Sequence, residues 1–526
     1  MRRQRRLSEE DYFNALQCRW DKIWPHPSLP REPVYPLGVR PLFEYLDVYA
    51  SENPGRDYII YYGRRISYKE VSELSNRFAN LLLSSGFQRG DKVALVLANC
   101  PQYYIAFFGT HKAGGVVVSL NPMLKEVELK YFFQEVKPKF AIVIDSVYKH
   151  ARKVAGEVSP EVKVISAAFD EFLPEEPEVP LHPSMRKTAE IGEQKFVDLV
   201  MDCSPSPPGV EVELEDYATI FFTSGTTGLP KAAPHKHKGV VYTSACLWTY
   251  SNAHILVEEY PDREVNFEEF SSRLARDEVV LAVMPIFWVA GHDVGILAPT
   301  IAGACVVLMS RWDPLGAMMA IEKYKVTTTY LTFNMYWEII ESPEVRKYDL
   351  RSLRTCTGSS FVKGLTRELR RKWREVSGTI LREAAYGLTE THTFDTFTAG
   401  FHKNDMDIEK MERHGGVFCG IPVPHTYIKI IDENGEILPL EEKGEVAIKS
   451  PSLITEYLGS PEATKKSFLD GWLLTGDVGM YDEDGFFYFV GRKKYMLKVS
   501  GISVSPQYIE LDATASSDRD CRSNRG

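Results

Sequence analysis

An α/β fold built on mostly parallel sheets, with a small antiparallel unit near its end, is what this sequence predicts. Short apolar, β-branched runs recur at residues 93–97, 140–144, 218–222, 279–283, 305–308 and 327–331. Patterns of helical period separate them, as at 68–83 and 365–376. Strands apolar on both faces and joined by helices belong to covered, parallel sheets. From about Tyr427 the character changes: residues 427–431, 444–448 and 486–490 alternate, with turn signals at 432–435 and 482–485 between them. That is the mark of antiparallel hairpins.

The chain opens on a basic run, Met1-Arg-Arg-Gln-Arg-Arg6, followed by Ser8-Glu-Glu-Asp11 instead of an apolar stretch. It reads as a solvated terminus and not as a secretory signal, with peripheral contact to anionic lipid left open. Residues 170–208, rich in Glu and Pro, read as a surface connection between two lobes. Residues 294–309 are the best candidate for a membrane span, but they are too short, contain Pro299 and follow His292-Asp293, so they read as buried core. After Glu510 neither period nor core remains, and the tail is expected to be disordered.

With 526 residues the chain can bury a large core and divide into more than one unit. A hydrophobic content of 44% and a charged content of 25% are ordinary for a soluble globular protein. Lys and Arg number 62 against 72 Asp and Glu, a net charge of −10, which argues against a nucleic-acid partner. The eight cysteines are scattered, with no C-x-x-C pair and no H-E-x-x-H. Structural zinc is therefore not expected, and a reducing cytoplasm is.

The most informative stretch is Thr223-Ser224-Gly225-Thr226-Thr227-Gly228-Leu229-Pro230-Lys231, directly after the strand-like run 218–222. Glycines let the backbone turn sharply and approach a ligand closely. Successive amide N–H groups, hydroxyls and an ammonium then surround a polyanion, which is what a triphosphate needs. It is not a Walker loop, because Leu229 and Pro230 separate Gly228 from Lys231 and Ala232 follows. The order of residues resembles the phosphate loop of the adenylate-forming superfamily, the acyl-CoA synthetases and their relatives.

Further segments match that superfamily in the same order, over about residues 42–510. Met284-Pro-Ile-Phe287-Trp288-Val-Ala-Gly291 resembles the segment lining the acyl pocket, with Trp288 where the family often has histidine. Phe287, Trp288, Gly291, Tyr330 and Gly358 are the expected pocket residues. Cys356-Thr-Gly358-Ser-Ser resembles the turn against which adenine and acyl chain lie. In Tyr386-Gly387-Leu-Thr389-Glu390 the resemblance implies that Tyr386 stacks on adenine, Thr389 contacts the α-phosphate and acyl carboxylate, and Glu390 holds Mg²⁺. It implies that Asp477, in Trp472-Leu-Leu-Thr-Gly-Asp477, binds the ribose hydroxyls and that Arg492 contacts ribose or phosphate. Lys494 falls at the hinge of the family, with Tyr495 where Asp or Glu is usual.

The resemblance implies a large multi-lobed domain over residues 41–493, with two packed, mostly parallel sheets and a small distorted β-barrel. Residues 1–40 are then an N-terminal extension, and residues 494–526 a hinge and remnant of the family's small C-terminal lid domain. The implied reaction uses ATP, Mg²⁺ and CoA. A carboxylic acid is activated as acyl-AMP, with Lys231, Thr389 and Glu390 in the catalytic role, and then passes to the CoA thiol. A fatty acid is expected, since Ile286, Phe287, Val289, Tyr330 and Phe333 are apolar and no lone Asp marks an amino-group site at 330–335. An aryl acid or an amino acid is the alternative, and a homodimer is left open. A nucleotide- or acyl-binding protein with little turnover is the competing class, because no segment after Ser503 resembles that of the lid lysine. On that account this chain is expected to bind ATP but adenylate poorly.

Overall fold

The computed structural model describes residues 7–185, 195–223, 229–359, 364–495, 497–499 and 502–504. The basic start, the loop residues Ser224, Gly225, Thr226, Thr227 and Gly228, and the tail after Glu510 lie outside the described residues.

Two parallel sheets form the body. The first runs Lys163–Ala167, Phe140–Ile144, Lys92–Val96, Val116–Ser119, Tyr217–Phe222 and Ala232–Lys236, parallel until the last strand returns antiparallel. The second runs Leu381–Glu383, Thr355–Ser359, Thr328–Thr332, Val279–Ala282, Cys305–Leu308, Asp57–Tyr61 and Arg64–Ser67, again parallel except at the last pair. Phe140–Ile144 and Val116–Ser119 are buried at every residue, so their runs are continuous and not alternating. Helix Pro101–Lys112 is likewise buried on all sides. It is tied to both halves: the Tyr103 hydroxyl meets Ser119 Oγ at 2.6 Å, and the Tyr104 hydroxyl donates to the Gly295 carbonyl at 2.7 Å.

The third sheet is antiparallel: Val417–Phe418, Phe487–Arg492, Trp472–Tyr481, Gly444–Lys449 and Tyr427–Ile431. It stays open. Among the described residues no strand pairing closes it into the barrel that the resemblance implied. Helix Glu9–Ile23 covers it instead: Phe13 stacks on Trp472 with ring centroids 5.8 Å apart, and Trp20 Nε1 donates to the Gly485 carbonyl at 2.8 Å. A covering helix removes the need for closure that an exposed apolar sheet would have. The N-terminal extension, from residue 7, is thus part of the body.

The 170–208 connection is also more embedded than its composition suggested. Its helix Phe196–Met201 buries Phe196 against Phe78, with centroids 5.4 Å apart. Asn76 and Asn80 donate to the carbonyls of Pro205, Ser204 and Ser206 at 2.8–3.0 Å, strapping the segment to helix Tyr68–Ser84. Residues 294–309 are buried core, ending in strand Cys305–Leu308. Among the described residues no helix is long and apolar enough to cross a membrane.

Candidate active site

The described ends of the phosphate-loop motif, Thr223 and Lys231, follow and precede two paired strands. Strands Tyr217–Phe222 and Ala232–Lys236 pair with Phe222 opposite Ala232, and the Thr223 amide donates to the Lys231 carbonyl at 2.9 Å. Pairing at the base brings Thr223 and Lys231 together on the wall of a cavity of about 680 Å³. Lys231 Nζ lies 4.7 Å from the ring centroid of Tyr457, a cation–π contact that holds the ammonium in place.

A second loop enters the same cavity after strand Leu381–Glu383. It is cinched across its neck: the Asp395 amide donates to the Tyr386 carbonyl at 3.0 Å, the Thr393 amide to the Leu388 carbonyl at 2.9 Å, and the Tyr386 amide to Thr396 Oγ1 at 2.9 Å. At Gly387 an added Cβ would sit 1.6 Å from the Thr393 carbonyl oxygen, so only glycine fits. The short helix Thr389–Thr391 then presents Thr389 and Glu390 to the cavity. Glu390 Oε1 accepts a hydrogen bond from the Tyr457 hydroxyl at 2.7 Å. Beneath it, His235 Nε2 lies 2.8 Å from the Thr389 carbonyl. Burial holds the His235 pKa well below its ordinary value, so a neutral ring donates there.

The third sheet supplies Glu445 and Arg492 to the cavity wall, while Asp477, paired with Arg492, is buried and does not line it. Asp477 and Arg492 are cross-strand partners in the antiparallel register, with Arg492 Nε 2.8 Å from Asp477 Oδ1. The Tyr386 hydroxyl donates to Asp477 Oδ2 at 2.7 Å, while its ring packs on Phe487 and Phe489. Burial pushes the Asp477 carboxyl up to about 6, against the lowering pull of Arg492 and of the Tyr386 hydrogen bond. Arg492 lines the cavity beside Leu473, Thr475 and Gly476. Lys494 follows in the turn Lys493–Tyr495, directly after this strand.

The expected acyl segment is placed with a shift. Val289, Ala290, Asp293 and Val294 line the cavity. Phe287, Trp288 and Gly291 stand beside it: Trp288 is half-exposed at the start of helix Val289–His292, and Gly291 leaves room for the Pro285 carbonyl, 2.1 Å from where a Cβ would be. Tyr330 lines the cavity, its hydroxyl meeting Ser359 Oγ at 2.7 Å. Gly358 does not face it. Thr357 and Ser359 do, and a Cβ on Gly358 would point into the Phe333 ring at 2.4 Å.

Several wall residues carried no motif: Tyr457, Lys466, Asp293 and Arg382. Asp293 had a signal, since a charge next to an apolar run is the informative exception. Its Oδ1 is 2.8 Å from His392 Nδ1, and its Oδ2 accepts from Thr393 Oγ1 at 2.5 Å. Among the described residues no three His, Cys, Asp or Glu side chains gather as a metal cage. Glu390 lines the cavity with Lys231, and its carboxylate fits Mg²⁺ held by one hard-oxygen side chain together with substrate phosphates.

The family described as AMP-binding enzyme matches residues 46–458. The chain is 28% identical over 506 residues to a long-chain-fatty-acid–CoA ligase of Bacillus subtilis (strain 168), covering 94% of this chain and 83% of that protein. It is 28% identical over 449 residues to a 4-coumarate–CoA ligase of Pinus taeda, covering 85% and 75%. The crystal structure of the anthranilate CoA ligase AuaEII in complex with anthranoyl-AMP shares the fold, with a TM-score of 0.72 and 23% identity over 90% of this chain and 82% of that one.

Proposed function

Since the chain belongs to the AMP-binding enzyme family and is an AMP-forming acid–CoA ligase that uses ATP, Mg²⁺ and CoA, we propose that its acid is an aliphatic, medium- or long-chain fatty acid. One observation carries the proposal. The cavity that holds Lys231, Thr389 and Glu390 continues without interruption to a wall of Leu247, Val289, Val294, Phe394 and Phe397. Similarity to the Bacillus subtilis ligase supports it. The second reading is an aryl acid, supported by the aromatic side chains Phe394 and Phe397 and by similarity to 4-coumarate–CoA ligases.

In the proposed chemistry an acid carboxylate oxygen attacks the α-phosphorus of ATP, and the bond to pyrophosphate breaks. The CoA sulfur then attacks the acyl carbon, and AMP leaves. No side chain bonds covalently to substrate; positioning and charge compensation do the catalysis. Thr223 and Lys231 flank the β- and γ-phosphates, Thr389 faces the α-phosphate and acyl carboxylate, and Asp477 with Arg492 holds the ribose. Glu390 would hold Mg²⁺, which offsets charge on the triphosphate when bound. Residues 7–493 form the large body in this proposal, the extension before residue 41 included, and Lys494 is its hinge, a division supported by the end of the third sheet at Arg492.

Two measurements test it. Lys231→Ala should weaken ATP binding by at least about tenfold, the range for losing a hydrogen bond to a charged group; unchanged affinity in calorimetry counts against the loop assignment. A panel of fatty and aryl acids, assayed for AMP release with CoA, should favour aliphatic acids.

A further inference from the structure

The second sheet places a buried charge, Arg382, on the cavity wall with no counter-ion among the described residues. Tyr330, Thr357 and Arg382 are register neighbours on three adjacent parallel strands. All three line the cavity, as do Ser359 and Ala384, two residues further along their strands. Alternation along a strand therefore puts the Arg382 side chain on the cavity face. Its Nη2 reaches only the Ser251 carbonyl, at 3.3 Å, and Ser251 also lines the cavity. Arg382 is 1% exposed, and its Nε has no hydrogen-bond partner.

The carboxylates that influence Arg382 are engaged elsewhere. Glu258 is 3.0 Å from His402 Nε2, and Asp407 takes a two-bond fork from Arg370 at 2.8 and 2.5 Å. Asp293, the buried carboxylate of the cavity, has His392 and Thr393. The contrast with Arg370 is direct: that buried guanidinium is fully paired, with Asp405, Asp407 and the Leu381 carbonyl. Burial lowers the Arg382 pKa to about 10, so it remains a cation at neutral pH. A buried cation without an anion is costly, and a ligand anion would relieve that cost. A guanidinium fork matches a carboxylate in two parallel hydrogen bonds. Leu247, Val294 and Phe397 supply apolar wall in the same cavity, suited to the methylene chain between two ends.

We propose that Arg382 binds a second carboxylate at the far end of the substrate, so that the acid is an aliphatic α,ω-dicarboxylate; this rests on the aliphatic reading above and narrows it. Arg382 is thus a specificity-determining residue, and only the carboxylate at the Thr389 end is activated.

The test compares matched acids, hexanoate with hexanedioate and decanoate with decanedioate, in wild type, Arg382→Met and Arg382→Lys. ATP affinity is measured by calorimetry in each as a check of folding. Wild type should prefer the diacid by at least about tenfold in kcat/KM, the range for a hydrogen bond to a charged group. Arg382→Met should abolish or reverse that preference through KM, and Arg382→Lys should keep part of it. If Arg382→Met loses ATP binding, the wild-type ratio and Arg382→Lys decide. Wild-type preference for monoacids with normal turnover overturns the proposal and leaves the aliphatic reading standing. Turnover of aryl acids with neither aliphatic series accepted overturns both.

Discussion

Asp477 offers a prediction in which stability and binding move in opposite directions. Its carboxyl rises from an ordinary 3.8 to about 6, with burial as the dominant cause. At about 1.4 kcal/mol for each pH unit, that rise means ionised Asp477 costs the free protein about 3 kcal/mol of folding stability. The sign follows from the raised value. Below the ordinary pKa the group is protonated in both states and there is no penalty. As pH climbs through about 6 the penalty becomes complete. Asp477→Asn removes the ionisation and keeps an acceptor for the Tyr386 hydroxyl, but gives up the ion pair with Arg492. The variant should therefore be more stable than wild type at pH 8, by about 1–3 kcal/mol, with the advantage gone near pH 4. Its ATP affinity should fall by about 10–100-fold at pH 8, since the charge-assisted bonds proposed for the ribose hydroxyls are lost. Wild-type ATP affinity should itself weaken below pH 6 as the carboxyl protonates, and the variant should lack that dependence. Thermal unfolding across pH and calorimetric ATP titration read both quantities. A variant less stable than wild type at pH 8, or one with unchanged ATP affinity, refutes the reasoning.

Two further substitutions separate other contributions. Tyr457→Phe removes the hydroxyl bonded to Glu390 and keeps the ring against Lys231; the Mg²⁺ concentration needed for half-maximal pyrophosphate exchange should rise by about tenfold, and Tyr457→Leu should in addition weaken ATP binding about two- to fivefold through the lost cation–π contact. Gly387→Ala drives a methyl group into the Thr393 carbonyl. It should destabilise the protein by at least about 1–3 kcal/mol and lower AMP formation, with unfolding and product assays as the checks.

The sheets were legible because their strands are buried on both faces and announce themselves as continuous β-branched runs; Phe140–Ile144 and Cys305–Leu308 start and end where the sequence places them. The turn signal at 482–485 was legible too, and the hairpin around it brings Asp477 opposite Arg492. What escaped were contacts between distant segments. Nothing local to Tyr457 shows that it bridges Lys231 and Glu390. Nothing in the amphipathic pattern of Glu9–Ile23 shows that its aromatic face covers a sheet more than four hundred residues later. The segment expected to line the acyl pocket meets the cavity at other residues than expected, because the helix starting at Val289 turns Val289, Ala290 and Asp293 to it and leaves Trp288 outside.

The loop from Tyr386 to Phe397 joins the two halves of the chemistry. Gly387, Thr389, Glu390, Thr393, Phe394 and Phe397 all line the cavity, and Tyr457 links Glu390 to Lys231. The same Thr393 whose carbonyl excludes a side chain at Gly387 donates its hydroxyl to Asp293 on the acyl segment. With its neck fixed by the Asp395, Thr393 and Tyr386 amides, the loop can shift as a unit more easily than it can bend. An acid that fits badly against Phe394 or Phe397 therefore displaces Thr389 and Glu390 as well, and a displacement of about 1 Å at reacting groups costs about 10²-fold in rate. Selection of the acid then appears in kcat as well as in KM, because recognition and activation share one rigid piece of backbone.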